Sequence, residues 1–199
     1  MNYIDKCYYI NLESRTDRLN HIENQLKKMG LFDKSCRFNA IKHEFGALGC
    51  SMSHLEVLKN AKENNYKTII IFEDDFEFLI TKDEFESKLN YIFANLNFDV
   101  FMLSAYVKNY IKHSNTIKRV KFALTSAGYI IKNHYFDKII SETEKSLFQL
   151  ENTRKASLYA YDIIWRKFQE KDQWFIFVKK IGKQINSYSD IEKRNVIHK

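Results

Sequence analysis

Apolar positions along this 199-residue chain alternate between short continuous runs and longer stretches with helical spacing. The run "CYYINL" (7–12) predicts a buried first strand. After polar Glu13, Ser14 and Arg15, the residues Leu19, Ile22, Leu26 and Met29 recur at steps of three and four. They predict a helix with Gly30 as its C-terminal cap. A short strand is expected near 36–41, then a glycine-bearing loop, "EFGALGCS". A helix follows with Met52, Leu55, Leu58 and Ala61 on one side, closed by the polar run 62–67. "TIIIFE" (68–73) reads as the central strand. Phe85, Leu89 and Ile92 mark another helix, and "FDVFML" (98–103) another strand. Residues 106–117 are weakly periodic and read as a loop or irregular hairpin, and "KFAL" and "GYIIK" within 121–132 as two short strands. Helices are expected at about 134–149 and 156–169, and a last strand at "WFIFVK" (174–179) before a polar tail.

This alternation predicts an α/β layer fold with a mostly parallel central sheet flanked by helices. With no internal repeat and no low-complexity linker, residues 1–199 read as a single domain. Ligands of such sheets collect beyond the carboxyl ends of the strands. Glu73, Asp74 and Asp75 stand at one such end, Asn11 and Arg15 at another.

Composition narrows the class. The chain is 45% apolar and 15% aromatic, which fits a globular domain and excludes a disordered one. No run of about 18 apolar residues is present, so no transmembrane helix is expected, although a peripheral membrane contact stays open. The three cysteines, Cys7, Cys36 and Cys50, have no CxxC spacing. Together with an N-terminus unlike a secretion signal, they predict reduced thiols and a cytoplasmic location. The net charge of +7 suits an anionic partner. The basic residues do not gather in one stripe, so nucleic acid is not expected.

Three motifs carry chemistry. Adjacent carboxylates repel one another, and "EDD" at the end of an apolar strand suits magnesium or manganese, which take oxygen ligands. The alternative is a solvated strand end. Arg15 and Arg18, three apart near a helix start, suit a phosphate clamp; the alternative is a surface pair with Asp17 and Glu23. In "GALGCSMSHL", Gly46 and Gly49 allow tight turns, and Ser51 or Ser53 can cap a helix whose amides favour an anion. His54 is either a functional group or a structural one.

Taken in order, "YYINLESRTDR", "GALGCSMSHLEVLKNA" and "IIIFEDDFEF" resemble glycosyltransferase family twenty-five, the lipooligosaccharide and collagen-type sugar transferases. "SAGYIIKNHYFDKII", "YDIIW" and "IGKQINSYSDI" resemble its later elements, so the likeness spans about residues 8 to 192. The resemblance implies a GT-A-like fold, with a donor part at about 1–105 and an acceptor part at about 106–199. It implies an inverting hexosyltransferase that moves galactose or glucose from a UDP-sugar to a glycan, a lipid-linked glycan or a protein, forming a β-linkage. It also implies a Mn2+ or Mg2+ cofactor held by Asp75 and Glu73, with Asp190 reaching the same region. Donor contacts would come from Asn11, Leu12, Arg15, Arg18, Ser53, His54 and Asp74, and the catalytic base would be Asp162. Two rivals stand beside this reading: a non-catalytic basic binding module, and an inactive family member serving as a scaffold. A receiver-like domain fits less well, because its acidic pair would follow the first strand, which here ends in Asn11.

Overall fold

The computed structural model describes residues 2–191 and 193–197. Its chain runs β1 (Lys6–Asn11), α1 (Thr16–Lys28), β2 (Ser35–Asn39), α2 (Gly46–Glu63), β3 (Thr68–Glu73), β4 (Phe76–Phe78) and α3 (Lys82–Asn95). Then come β5 (Val100–Lys112), β6 (Ile117–Lys132), α4 (Phe136–Thr153), α5 (Ala156–Tyr159), α6 (Tyr161–Ile164) and α7 (Arg166–Lys171). The chain closes with β7 (Trp174–Phe177), β8 (Gly182–Gln184), β9 (Ser187–Ser189) and β10 (Arg194–Val196).

Six strands form the main sheet in the order β2-β1-β3-β6-β5-β7. Only β6 runs against the other five, so the sheet is mostly parallel, as the alternation of elements predicts. Alternate residues of β1 and β3 serve two cores. Cys7, Tyr9, Ile70 and Phe72 pack with Ile22, Leu26, Phe85 and Leu89 from α1 and α3. Tyr8, Ile10, Ile69 and Ile71 pack with Val57, Leu58, Ala61 and Ile139 from α2 and α4. Strands covered on both faces read as continuous apolar runs, which is why "CYYIN" and "TIIIF" lack a polar alternation. Burial pushes the Cys7 thiol up to about 12, in keeping with an inert core residue. Among the described residues, no helix is long and apolar enough to cross a membrane.

Three expectations give way, and a fourth is settled between its alternatives. Residues 106–117 are the irregular hairpin and not the loop, and the two short strands after them join it in one long ribbon of β5 and β6, turned at 113–116. Its register shifts at four places, and each bulge moves side chains to the other face and blurs the period of two. The helix expected at 156–169 is broken into α5, α6 and α7, and extended Ala160, at ψ 156°, separates α5 from α6. The loop "EFGALGCS" is largely helix: α2 starts at Gly46. Gly49 serves close packing there, not a turn, since a Cβ would sit 2.4 Å from the Ile41 carbonyl oxygen. Finally, the polar tail is folded. β8 pairs with β4, and β9 pairs with β10.

Phe76, directly after the acidic triplet, is fully buried and wedged between strands. A Cβ on Gly128 would come within 2.5 Å of its ring, and one on Gly182 within 2.2 Å. The ring thus fixes the acidic turn against β6 and β8. Gly128→Ala or Gly182→Ala is expected to lower folding stability by about 1–3 kcal/mol through overpacking. Urea midpoints check this, and an unchanged midpoint in both variants would dismiss the wedge.

Candidate active site

The carboxyl ends of β1 and β3 open into a cleft of about 960 Å³. Its walls include Leu12, Arg18, Ser53, His54, the acids of the 73–75 turn and Asp162. The last strands reach it through Gln184, Asp190 and Ile191. The cleft therefore draws on both halves of the chain.

Each acid of the triplet has its own surroundings. Asp74 is buried and accepts hydrogen bonds from Asn11 Nδ2 at 2.7 Å and Arg18 Nη1 at 3.0 Å. Asn11, fully buried at the end of β1, also donates to the Arg15 carbonyl and accepts from Arg37 Nη2 at 2.8 Å. It sets the orientation of Asp74. Asp75 is also buried, 3.4 Å from the Arg18 guanidinium, with only long contacts of 3.3 and 3.4 Å from Gln184 Nε2. Burial and then the charge of Glu73 push its carboxyl up to about 7, against the pull of Arg18. Glu73 accepts from Ser126 Oγ at 2.6 Å and lies 3.4 Å from His54 Nε2. Burial would raise Glu73, but His54, Ser126 and the charge of Arg18 outweigh it and hold the carboxyl below its ordinary range.

The arginines differ. Arg18 Nη2 donates to Ser187 Oγ at 2.6 Å and to the Tyr188 carbonyl at 2.9 Å, so one guanidinium joins α1, the acidic turn and β9. Arg15 instead holds Asp17 through two nitrogens, Asp190 at 2.5 Å and the Tyr188 carbonyl. It ties the C-terminal segment down from outside the cleft wall. Asp190 lines the cleft with its carboxylate on Arg15.

Ser51 and Ser53 lie within α2 and do not cap it. Ser53 Oγ donates to the Gly49 carbonyl and accepts the Ile41 N–H at 2.8 Å, while Ser51 Oγ accepts the Tyr161 N–H at 3.2 Å. They fasten α2 to the segments on either side. His54 is fully buried, stacked on Tyr161 at 4.4 Å, with Nδ1 3.0 Å from the Tyr129 hydroxyl. Trp174 is fully buried and packs in the core. Ser126, Tyr129, Tyr161 and Gln184 fall within the later stretches that resemble the family, but the sequence assigned none of them a role at the site. They reach the site through the ribbon, the broken helix and the tail.

Asp162 stands across the cleft. Its Oδ2 accepts the Thr125 N–H at 3.0 Å, and burial raises its carboxyl despite that bond. Thr125 has φ 76°, a left-handed conformation that a β-branched residue adopts only under constraint.

Two donor sets lie near one another. Cys50, His54 and Glu73 bring a sulfur, a nitrogen and an oxygen within 4.8 Å. Burial pushes the Cys50 thiol well above its ordinary value, so it is a poor ligand for a hard cation. The oxygens of Asp75 and Glu73 suit magnesium or manganese better: three carboxylates face one guanidinium, which leaves negative charge uncompensated.

The mostly parallel sheet flanked by helices is a GT-A-like fold. A197 from STIV has a similar structure, at 15% identity, covering 98% of this chain and 95% of that one, with a TM-score of 0.52. A mannose-1-phosphate geranyltransferase from Thermus thermophilus is similar at 6% identity, over 91% and 76% of the two chains, with a TM-score of 0.53. No curated protein sequence matches. The chain belongs to glycosyltransferase family 25, described as LPS biosynthesis proteins, whose profile matches residues 42–165. That match takes in the acidic triplet, His54 and Asp162, and leaves Asn11, Arg15, Arg18 and Asp190 outside it.

The raised Asp75 makes a pH prediction. Its folded carboxyl binds a proton more tightly than the unfolded one, so stability falls as pH rises from the ordinary carboxylate range through about 7. The metal-free protein is expected to melt at a lower temperature at pH 8 than at pH 5.5, and Asp75→Asn to shrink that drop. Differential scanning calorimetry at both pH values checks it; an equal drop in the variant would remove Asp75 as the source.

Proposed function

We propose that this glycosyltransferase moves a hexose, galactose or glucose, from a UDP-sugar to a hydroxyl of a glycan, lipid-linked glycan or protein acceptor, with inversion to a β-linkage. The observation that carries the reading is the pairing of a crowded, buried acidic turn with an isolated raised carboxyl, Asp162, across one cleft. Transfer needs two such things: a place to stabilise the departing diphosphate, and a base on the opposite face of the sugar.

Asp75 and Glu73, with Asp190 as a further ligand, would hold a manganese or magnesium ion, which supplies positive charge for the leaving diphosphate. The remaining steps belong to the chain. Arg18, held between Asp74 and Asp75, adds a fixed cation beside the phosphates. Asp74, aimed by Asn11, accepts from a ribose hydroxyl. Leu12, Ser53 and His54 border the donor, and Arg15 keeps the strap of β9 over it. Asp162 then takes the acceptor hydroxyl proton. As the new bond to the anomeric carbon forms, the bond to the diphosphate oxygen breaks and its electron pair leaves with UDP. The Thr125 N–H holds Oδ2 and orients the carboxylate for that transfer. The same reading places the protein in the cytoplasm, with at most peripheral membrane contact.

Two substitutions separate the roles. Asp75→Asn is expected to abolish manganese-dependent release of UDP from UDP-galactose and UDP-glucose while circular dichroism stays native. Normal turnover in that variant would end the metal assignment. Asp162→Asn is expected to cut turnover by about 10²–10⁴-fold and to leave UDP affinity intact by calorimetric titration. Equal loss of both would move Asp162 to the donor side.

A further inference from the structure

Behind Asp162 lies a second groove, of about 710 Å³, between β6, α4 and the broken helix. Ile163, next to the proposed base, lines both this groove and the main cleft, so the two adjoin there. Phe122 forms part of its wall. The Arg166 guanidinium lies 5.1 Å from the centre of that ring, and Lys108 Nζ 5.4 Å from it. Arg166 Nε is anchored on the Ile163 carbonyl, and the charge of Arg166 also reaches Asp162. The cations therefore run from the groove up to the base.

The neighbouring ribbon continues the pattern. Tyr106 pairs with Leu124, directly before the strained Thr125, and is 60% exposed. Lys108 lies 5.9 Å from the Tyr106 ring, and Lys118 lies 4.3 Å from the ring of half-exposed Tyr110. No Asp or Glu occurs between Asp99 and Asp137, so nothing acidic on the ribbon opposes an anion. Among the charged residues lining the groove, four are basic and two acidic, and the acid Glu142 is already paired with Lys167 at 2.6 Å.

We infer that this groove and the adjoining β5–β6 face form the acceptor subsite, and that its ligand is a sugar carrying a phosphate or carboxylate group. The inference rests on the transferase reading of the main cleft. Flat aromatic faces stack on sugar rings, and guanidinium and ammonium groups over them hold anions. The concave shape favours a chain of sugars over a flat bilayer.

The test uses the full chain labelled with 15N, saturated with UDP to block the main cleft. It is titrated with glucose 6-phosphate, glucuronic acid, glucose and inorganic phosphate, and amide shifts are read by NMR. Glucose 6-phosphate and glucuronic acid are expected to shift amides around Phe122 and Arg166, each binding about tenfold tighter than glucose. Inorganic phosphate is expected to bind more weakly than glucose 6-phosphate. Lys108→Glu and Tyr106→Ser, both at exposed positions, are expected to erase most of that advantage while UDP affinity stays unchanged. Equal affinity for glucose, equal affinity for inorganic phosphate, or shifts confined to the main cleft would each overturn the inference. So would a response to phosphatidylglycerol vesicles with none to glucose 6-phosphate, which would make the ribbon a membrane surface. If UDP fails to bind while the sugar phosphate still shifts the groove, the donor assignment falls and the groove stands.

Discussion

Three successive carboxylates are driven into a buried corner, and a single guanidinium stands between two of them. Like charges at this spacing repel, and loss of water makes the repulsion stronger. The chain offsets it unequally. Asp74 has Arg18 and Asn11, Glu73 has His54 and Ser126, and Asp75 has little beyond its distance from Arg18. The outcome, within three residues, is Glu73 held down, Asp74 raised by burial despite its partners, and Asp75 raised to about 7. Carboxyls shifted in opposite directions by burial and named charge partners in one cleft are common at functional sites.

The rest of the fold keeps that corner in place. Phe76 pins the turn from below, against two glycines that leave room for its ring. Arg15, just before α1, and Arg18, in its first turn, reach up to the carbonyl of Tyr188 and draw the last strands across the cleft. Residues more than 160 positions apart thus close one wall. This arrangement gives the C-terminal segment a role despite its poor hydrophobic content: it is held by charge and hydrogen bonds, not by burial.

Across the cleft, backbone geometry takes over. Thr125 bends out of the β6 ladder at a positive φ, and its N–H points to Asp162 as a result. Extended Ala160 stops the helix just before Tyr161 and Asp162, so the acid faces the cleft and Tyr161 stacks on His54. Local strain and a broken helix cost stability, and both occur where a carboxyl must be aimed.

Much of this was legible in the residue pattern. The strands of β1 and β3, the faces of α1, α2 and α3, and the acids at a carboxyl edge follow from period, length and polarity, which are local properties. The ribbon was legible only as a loop or an irregular hairpin, because its bulges shift the alternation that marks a strand. The role of Arg15 was not, because only the folded tail supplies Asp190 as its partner. The partners of each carboxylate were also hidden: Ser126, His54, Asn11 and Gln184 come from four separate elements. Sequence determined that this chain would end a buried strand in negative charge. Only the tertiary structure decided which acid is compensated and which is left raised, since desolvation and Coulomb forces depend on distances in space and not on positions along the chain.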